Sequence, residues 1–126
     1  MYDFIKKILK INRSLTGDGN RKTLKEIKKV IKKLSIKEIK SGTKVYDWKI
    51  PLEWNIKNAY IQKPDGSKIC EFKKNFLHVV GYSIKMNKKL KLNQLKKHLF
   101  SLPSQPNAIP YVTSYYKKFW GFCLTD

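Results

Sequence analysis

The chain has 126 residues and carries 28 Lys and Arg against 9 Asp and Glu, a formal net charge of +19. That length suggests one domain of ordinary size, and 41% hydrophobic with 13% aromatic residues excludes a disordered polymer that could bury nothing. Asp3, Lys6 and Lys7 interrupt the first ten residues and no long apolar run follows, so neither a membrane span nor a signal peptide is supported and a cytoplasmic protein is expected.

Phe4, Ile5, Ile8, Leu9 and Ile11 recur at helical spacing, which predicts a short amphipathic helix from Met1 that stops near Asn12. Arg13 to Asn20, rich in Gly and short polar side chains, reads as a turn. A second helix follows, with Leu24, Ile27, Val30, Ile31 and Leu34 on one arc and Lys25, Lys28, Lys29, Lys32 and Lys33 on a solvated opposite face. Thr23 and Glu26 fit a capping box for it, while Asp18 or Asn20 fits an earlier start.

From Ser35 the apolar period changes to two. It predicts a strand over Ile36 to Lys40, a turn at Ser41-Gly42, and a strand with Tyr46, Trp48 and Ile50 on one face that Pro51 ends. Ala59 to Gln62 and Lys68 to Phe72 flank Lys63-Pro64-Asp65-Gly66-Ser67, where preset φ, a side-chain acceptor and a residue tolerant of positive φ predict a hairpin. Leu77 to Met86 is expected as a strand with His78, Val80, Tyr82, Ile84 and Met86 sharing a face. Leu92, Leu95 and Leu99 mark a short basic helix. Pro103, Pro106 and Pro110 exclude a regular helix or central strand from Ser101 to Pro110 and predict an extended loop. Phe119 to Leu124 forms a last apolar strand. The fold class expected is α+β: N-terminal helices, then a small, mainly antiparallel sheet with a hairpin, one short helix and a final strand.

Phosphate-loop, dinucleotide-binding, zinc-protease and nucleophile-elbow patterns are all missing from the sequence. Gly17-Asp18-Gly19 before a helix is compatible with an anion cradle, but a turn with an N-cap is the simpler reading, because Asp18 repels an anion. The histidines are His78 and His98, on different elements and too few for a metal site. His78 lies on an apolar face and is expected as a hydrogen-bonded core residue; His98, beside Lys96 and Lys97, is expected to be exposed. Cys70 and Cys123 lack C-x-x-C spacing and are expected as buried thiols. Lysine supplies 26 of the 28 cations and Arg13 and Arg21 the rest. Since arginine is the residue that reads phosphate and guanine bidentately, the charge is more simply compositional than a nucleic-acid site. Tyr111, Tyr115 and Tyr116, in or just after the Pro-rich loop, serve equally well as pocket lining or as packing.

Four ordered stretches carry a resemblance: Ile11 to Gly19; Ser41 to Trp48 continuing to Pro51-Leu52-Glu53-Trp54-Asn55-Ile56; Leu77-His78-Val79-Val80-Gly81-Tyr82-Ser83; and Leu102-Pro103 through Ala108 to Tyr116 and on to Trp120-Gly121-Phe122-Cys123. Together they resemble the N-terminal part of the bacterial aminopeptidase-like proteins, relatives of the co-catalytic zinc aminopeptidases. Those proteins carry an inserted small domain of unknown function and often accompany polysaccharide biosynthesis. The resemblance implies a zinc exopeptidase fold with a small α+β lid, acting on a peptide-like substrate. It places the zinc ligands and general base after the segment matching Trp120 to Leu124, so no cofactor is expected in this chain and zinc is expected in the intact family member.

The organisation expected is residues 1–34 as the N-terminal helical part of the peptidase-like domain, 35–100 as the inserted lid-type domain, and 101–126 as the loop and strand returning to the peptidase-like domain. With the last strand ending two residues before Asp126, the chain is expected to be an N-terminal fragment that is not catalytic alone. Candidate substrate contacts are Arg13, Ser14, Thr16, Tyr115, Tyr116 and His78, with no catalytic or metal residue. Two alternatives stay open. One is a stand-alone basic module binding nucleic acid or an anionic glycan through Lys28, Lys29, Lys32, Lys33, Lys96 and Lys97. The other is a non-catalytic subunit completing the sheet of a separately encoded peptidase half by strand addition through Phe119 to Leu124.

Overall fold

A computed structural model describes residues 2–126 of the chain, and the expected helix start at Met1 lies outside them. The architecture is α+β, with three α-helices, two 3-10 turns and six two-residue strands among the described residues. The strands form three separate pairs, two antiparallel and one parallel. Two compact units divide the chain, Met1–Asn55 and Ile56–Asp126.

The first unit begins with α1 (Tyr2–Leu9) and α2 (Asp18–Val30). The second helix starts at Asp18, one residue before the start that a cap at Asp18 implies, and its N-cap residue is Gly17 instead of Asp18, Asn20 or Thr23. Thr23 is therefore inside the helix: its Oγ1 donates to the carbonyl of Gly19 one turn back, and no capping box forms with Glu26. Glu26 instead accepts from Lys7 at 2.7 Å and from Lys29 at 2.6 Å, which holds its carboxyl below the usual range. The helix ends at Val30, short of the expected Leu34.

Ile36 to Lys40 has no strand partner, contrary to expectation. The next expected strand is in fact a hairpin. β1 (Lys44–Val45) pairs antiparallel with β2 (Trp48–Lys49) across a two-residue turn in which Tyr46 takes φ 54°. A positive φ is what such tight hairpin turns demand, and glycine or asparagine usually supplies it. An aromatic residue there hides the turn from a reading based on composition.

In the second unit β3 (Ile61–Gln62) and β4 (Lys68–Ile69) form the expected hairpin. Lys63 N–H donates to Ser67 O at 2.8 Å, Gly66 takes φ 85°, and Asp65 Oδ1 accepts from both the N–H and the hydroxyl of Ser67. Those bonds pull the Asp65 carboxyl below its ordinary value.

Leu77 to Met86 is not a strand. Phe76–His78 is a single 3-10 turn, Val79 and Gly81 each make one bridge, and Tyr82 at φ 65° turns the chain away. Val79 and Val80 are both buried, so the inside/outside alternation that the apolar spacing implied does not occur. The expected basic helix is shorter, α3 (Leu92–Leu95), with a 3-10 turn over Lys96–His98. Leu99 is already in β5 (Leu99–Phe100), which runs parallel to β6 (Phe122–Cys123).

The Pro-rich segment is not extended. It folds into two successive turns, closed by Gln105 N–H to Leu102 O at 2.8 Å and Ala108 N–H to Gln105 O at 2.9 Å. Proline fixes φ near the value that such turns need, which serves folding back as readily as extension.

The core of this unit is a narrow mixed sheet. Phe122 pairs with Leu99 on one side and bridges Val79 on the other, while Gly81 bridges Thr113. β6 is thus a central strand, and the alternative of strand addition through Phe119 to Leu124 is closed at Phe122. Val80 and Cys123 have no exposed surface. Gly121 is required where the segments cross, because a Cβ there would lie 2.9 Å from His98 O and 3.0 Å from both Phe100 and Val80 side chains.

Candidate functional site

The sequence-predicted residues fall in two places, and each is built by its own unit. In the first, the loop before α2 is stitched to the segment 52–55. Thr16 Oγ1 donates to Leu52 O at 3.0 Å, and Ser14 Oγ reaches Thr16 O at 2.5 Å and Trp54 O at 3.5 Å. Asn20 Nδ2 closes the loop on Ser14 O and Leu15 O. The Arg13 guanidinium turns back to the carbonyl of Ile8.

The Gly17-Asp18-Gly19 turn is no anion cradle. Asp18 N–H already donates to Asn55 Oδ1 at 2.9 Å, so a side chain distant in sequence supplies the acceptor that a helix start needs. A Cβ at Gly17 would meet Trp54 O at 2.6 Å, and one at Gly19 would meet Asn12 O at 1.7 Å. Both glycines are there for close backbone passage. Arg21 forms an ion pair with Glu53, pulling that carboxyl below its ordinary value, and holds Asp18 at 3.0 Å.

Beside this loop lies a cavity of about 410 Å³ lined by Leu15, Leu24, Ile36, Ile39, Trp48 and Ile50 together with Arg21, Lys25 and Glu38. It went unread in the sequence. The period-two reading of Ile36 to Lys40 put these isoleucines in a sheet, whereas Ile36 and Ile39, three apart, face the cavity together.

In the second unit His78 and His98 share a design. His78 Nδ1 meets Cys123 O at 2.9 Å and His98 Nδ1 meets Trp120 O at 2.8 Å. A carbonyl can only accept, so Nδ1 carries a proton in both. His98 is not exposed as expected: its ring stacks on Trp120 at 3.8 Å and 12°. Among the described residues no group of three or more His, Cys, Asp or Glu comes together to hold a metal ion. Cys70 and Cys123 are free and buried, and burial raises both thiols above their ordinary value.

The tyrosines form the other cluster. Tyr82 is buried and takes Tyr115 edge-on at 5.1 Å. Tyr111, 64% exposed, lies beside the Tyr115 hydroxyl, and burial with that neighbour raises its phenol. Tyr116 is exposed on the same turn. The structure therefore brings together Tyr111 and Tyr115, both read from the sequence as pocket lining or packing, and Tyr82, which the sequence does not single out as a site residue.

The chain belongs to the family described as Domain of unknown function (DUF2172), whose model matches residues 53–126, nearly the span of the second compact unit. Over all 126 residues the chain is 50% identical to a Clostridium acetobutylicum protein provisionally described as a polysaccharide biosynthesis protein with an aminopeptidase-like domain. It matches the N-terminal part of that protein and spans 29% of its length. A crystal structure of a provisionally assigned peptidase from the same organism superposes with a TM-score of 0.93 at 50% identity, covering 98% of this chain and 29% of that one. Among the described residues no helix is long and apolar enough to cross a membrane.

Proposed function

We propose that the chain serves as the N-terminal part of an aminopeptidase-like protein of the cytoplasm, supplying a helical shoulder and a small lid domain and not itself catalytic. The observation that carries this reading is its surface. The described residues expose 10251 Å², whereas a compact monomer of this mass exposes about 7,000 Å², and two separate globules of half the mass about 8,500 Å². Large apolar side chains are among what is exposed. Ile5, Leu9, Leu24, Val30 and Ile31 on and just after the two long helices are all exposed, and apolar surface on that scale is what a larger fold covers.

Zinc, in this reading, is held by other residues of the intact protein, and the substrate is peptide-like. Arg13, Ser14 and Thr16 act by fixing the loop before α2. Tyr115, Tyr116 and the Nε2 side of His78 are the groups placed to touch a substrate end. The free thiols of Cys70 and Cys123 support a reducing compartment.

Three measurements test the reading. Equilibrium dialysis with zinc is expected to show no stoichiometric binding, and aminoacyl anilides are expected to survive incubation with the zinc-treated chain. Mixing it with the remaining part of the Clostridium acetobutylicum relative is expected to give a complex that melts higher than either piece. Zinc-dependent hydrolysis by the chain alone would overturn the proposal, as would failure to associate.

A further inference from the structure

The bridge between Gly81 and Thr113 uses Gly81 N–H to Val112 O at 2.8 Å and Ser114 N–H to Gly81 O at 2.9 Å. In extended backbone, successive residues direct their N–H and C=O groups to opposite sides. Tyr111 and Thr113 therefore turn theirs away from Gly81, and among the described residues these four groups make no backbone hydrogen bond. The segment is the open edge of the mixed sheet. It is held rigidly, since Ser114 Oγ also donates to Gly81 O at 3.2 Å and Tyr115 packs edge-on against Tyr82.

Open edges pair with extended backbone, and here the charge selects the strand. From Ile56 to Asp126 there are thirteen lysines and three acidic residues, with no Asp or Glu between Phe72 and Thr125. Lys117 and Lys118 are exposed just beyond the edge. The geometry points to a docking site for an extended acidic peptide, which adds as a strand along Tyr111 to Thr113 with the Tyr111 and Tyr115 rings flanking its side chains. Basic residues supply the attraction, and backbone pairing supplies the requirement for an extended peptide. The site belongs to this chain alone, so it stands or falls separately from the aminopeptidase-like reading.

The test uses the full chain and a capped peptide alternating Glu and Val. The peptide is expected to bind and to protect the amide protons of Tyr111 and Thr113 from exchange. A copy N-methylated along its pairing edge is expected to bind about tenfold more weakly, the loss of roughly one or two hydrogen bonds. Thr113→Pro is expected to weaken binding similarly, because it removes an outward N–H while leaving Val112 O and Ser114 N–H on Gly81. Equal binding of the N-methylated copy overturns the proposal without relying on any variant. Failure of the parent peptide to bind does so too, as does displacement by heparin with both amides unprotected, which would show attraction by charge alone.

Discussion

The two units solve the problem of burial in opposite ways. Among the described residues Cys70, Val79, Val80, Tyr82 and Cys123 form the buried core and all lie after Ile56, while the first unit buries Pro51. The first unit has the longer helices and the more regular apolar stripe, yet the buried side chain on those helices is Thr23. A helix presents a stripe that needs an opposing surface, whereas short crossing segments can bury one another. The lesson is that a strong amphipathic signal specifies an element without specifying its partner. The first unit is held instead by polar stitching to residues 52–55, and the second by packing.

If that contrast is correct, the largest effect should come from backbone crowding. Gly19→Ala forces a Cβ against Asn12 O and is expected to cost about 3 kcal/mol or more, read as loss of helical circular dichroism while the amides of the second unit stay protected. Val80→Ala should do the converse. Removing two methyl groups from a residue with no exposed surface is expected to cost about 2 kcal/mol, seen by urea denaturation as unfolding of the sheet unit. Asn55→Ala, which removes the acceptor for Asp18 N–H, is expected to cost about 1 kcal/mol, with helix fraying confined to the start of α2. An equal loss spread over both units would show that they are one cooperative body.

The smallest effect is electrostatic. Glu53 has its folded pKa lowered from 4.5 by Arg21, so its stabilising contribution is present above that value and is lost as the pH falls through and below it. Glu53→Gln should flatten the acid limb of the first unit's stability curve, and added salt should mask the difference, because the pair is exposed.

Where determinants are local, the sequence is legible. The Lys63 to Ser67 turn is read correctly because Pro64, Asp65 and Gly66 each act on their own backbone, and α1 and α2 because their stripes are long. Leu77 to Met86 misleads for the opposite reason. Its spacing suits a two-faced strand, but Thr113 and Phe122 approach from either side and Tyr82 breaks the period. The helix cap at Asp18 depends on Asn55, which no local motif announces. The same holds for the site: Tyr111, Tyr115 and Tyr116 stand out beside the prolines, while the part played by Tyr82 depends on the Gly81 bridge, a pairing set by tertiary structure.

The stack of His98 on Trp120 has a practical consequence. Trp48 and Trp54 belong to the first unit and Trp120 to the second. An imidazole lying flat on an indole covers one face of that ring, so the emission of Trp120 should change when the stack is released. The molecule thereby carries its own optical reporter: replacing Trp48 and Trp54 with phenylalanine would leave one fluorophore whose intensity follows the sheet unit alone.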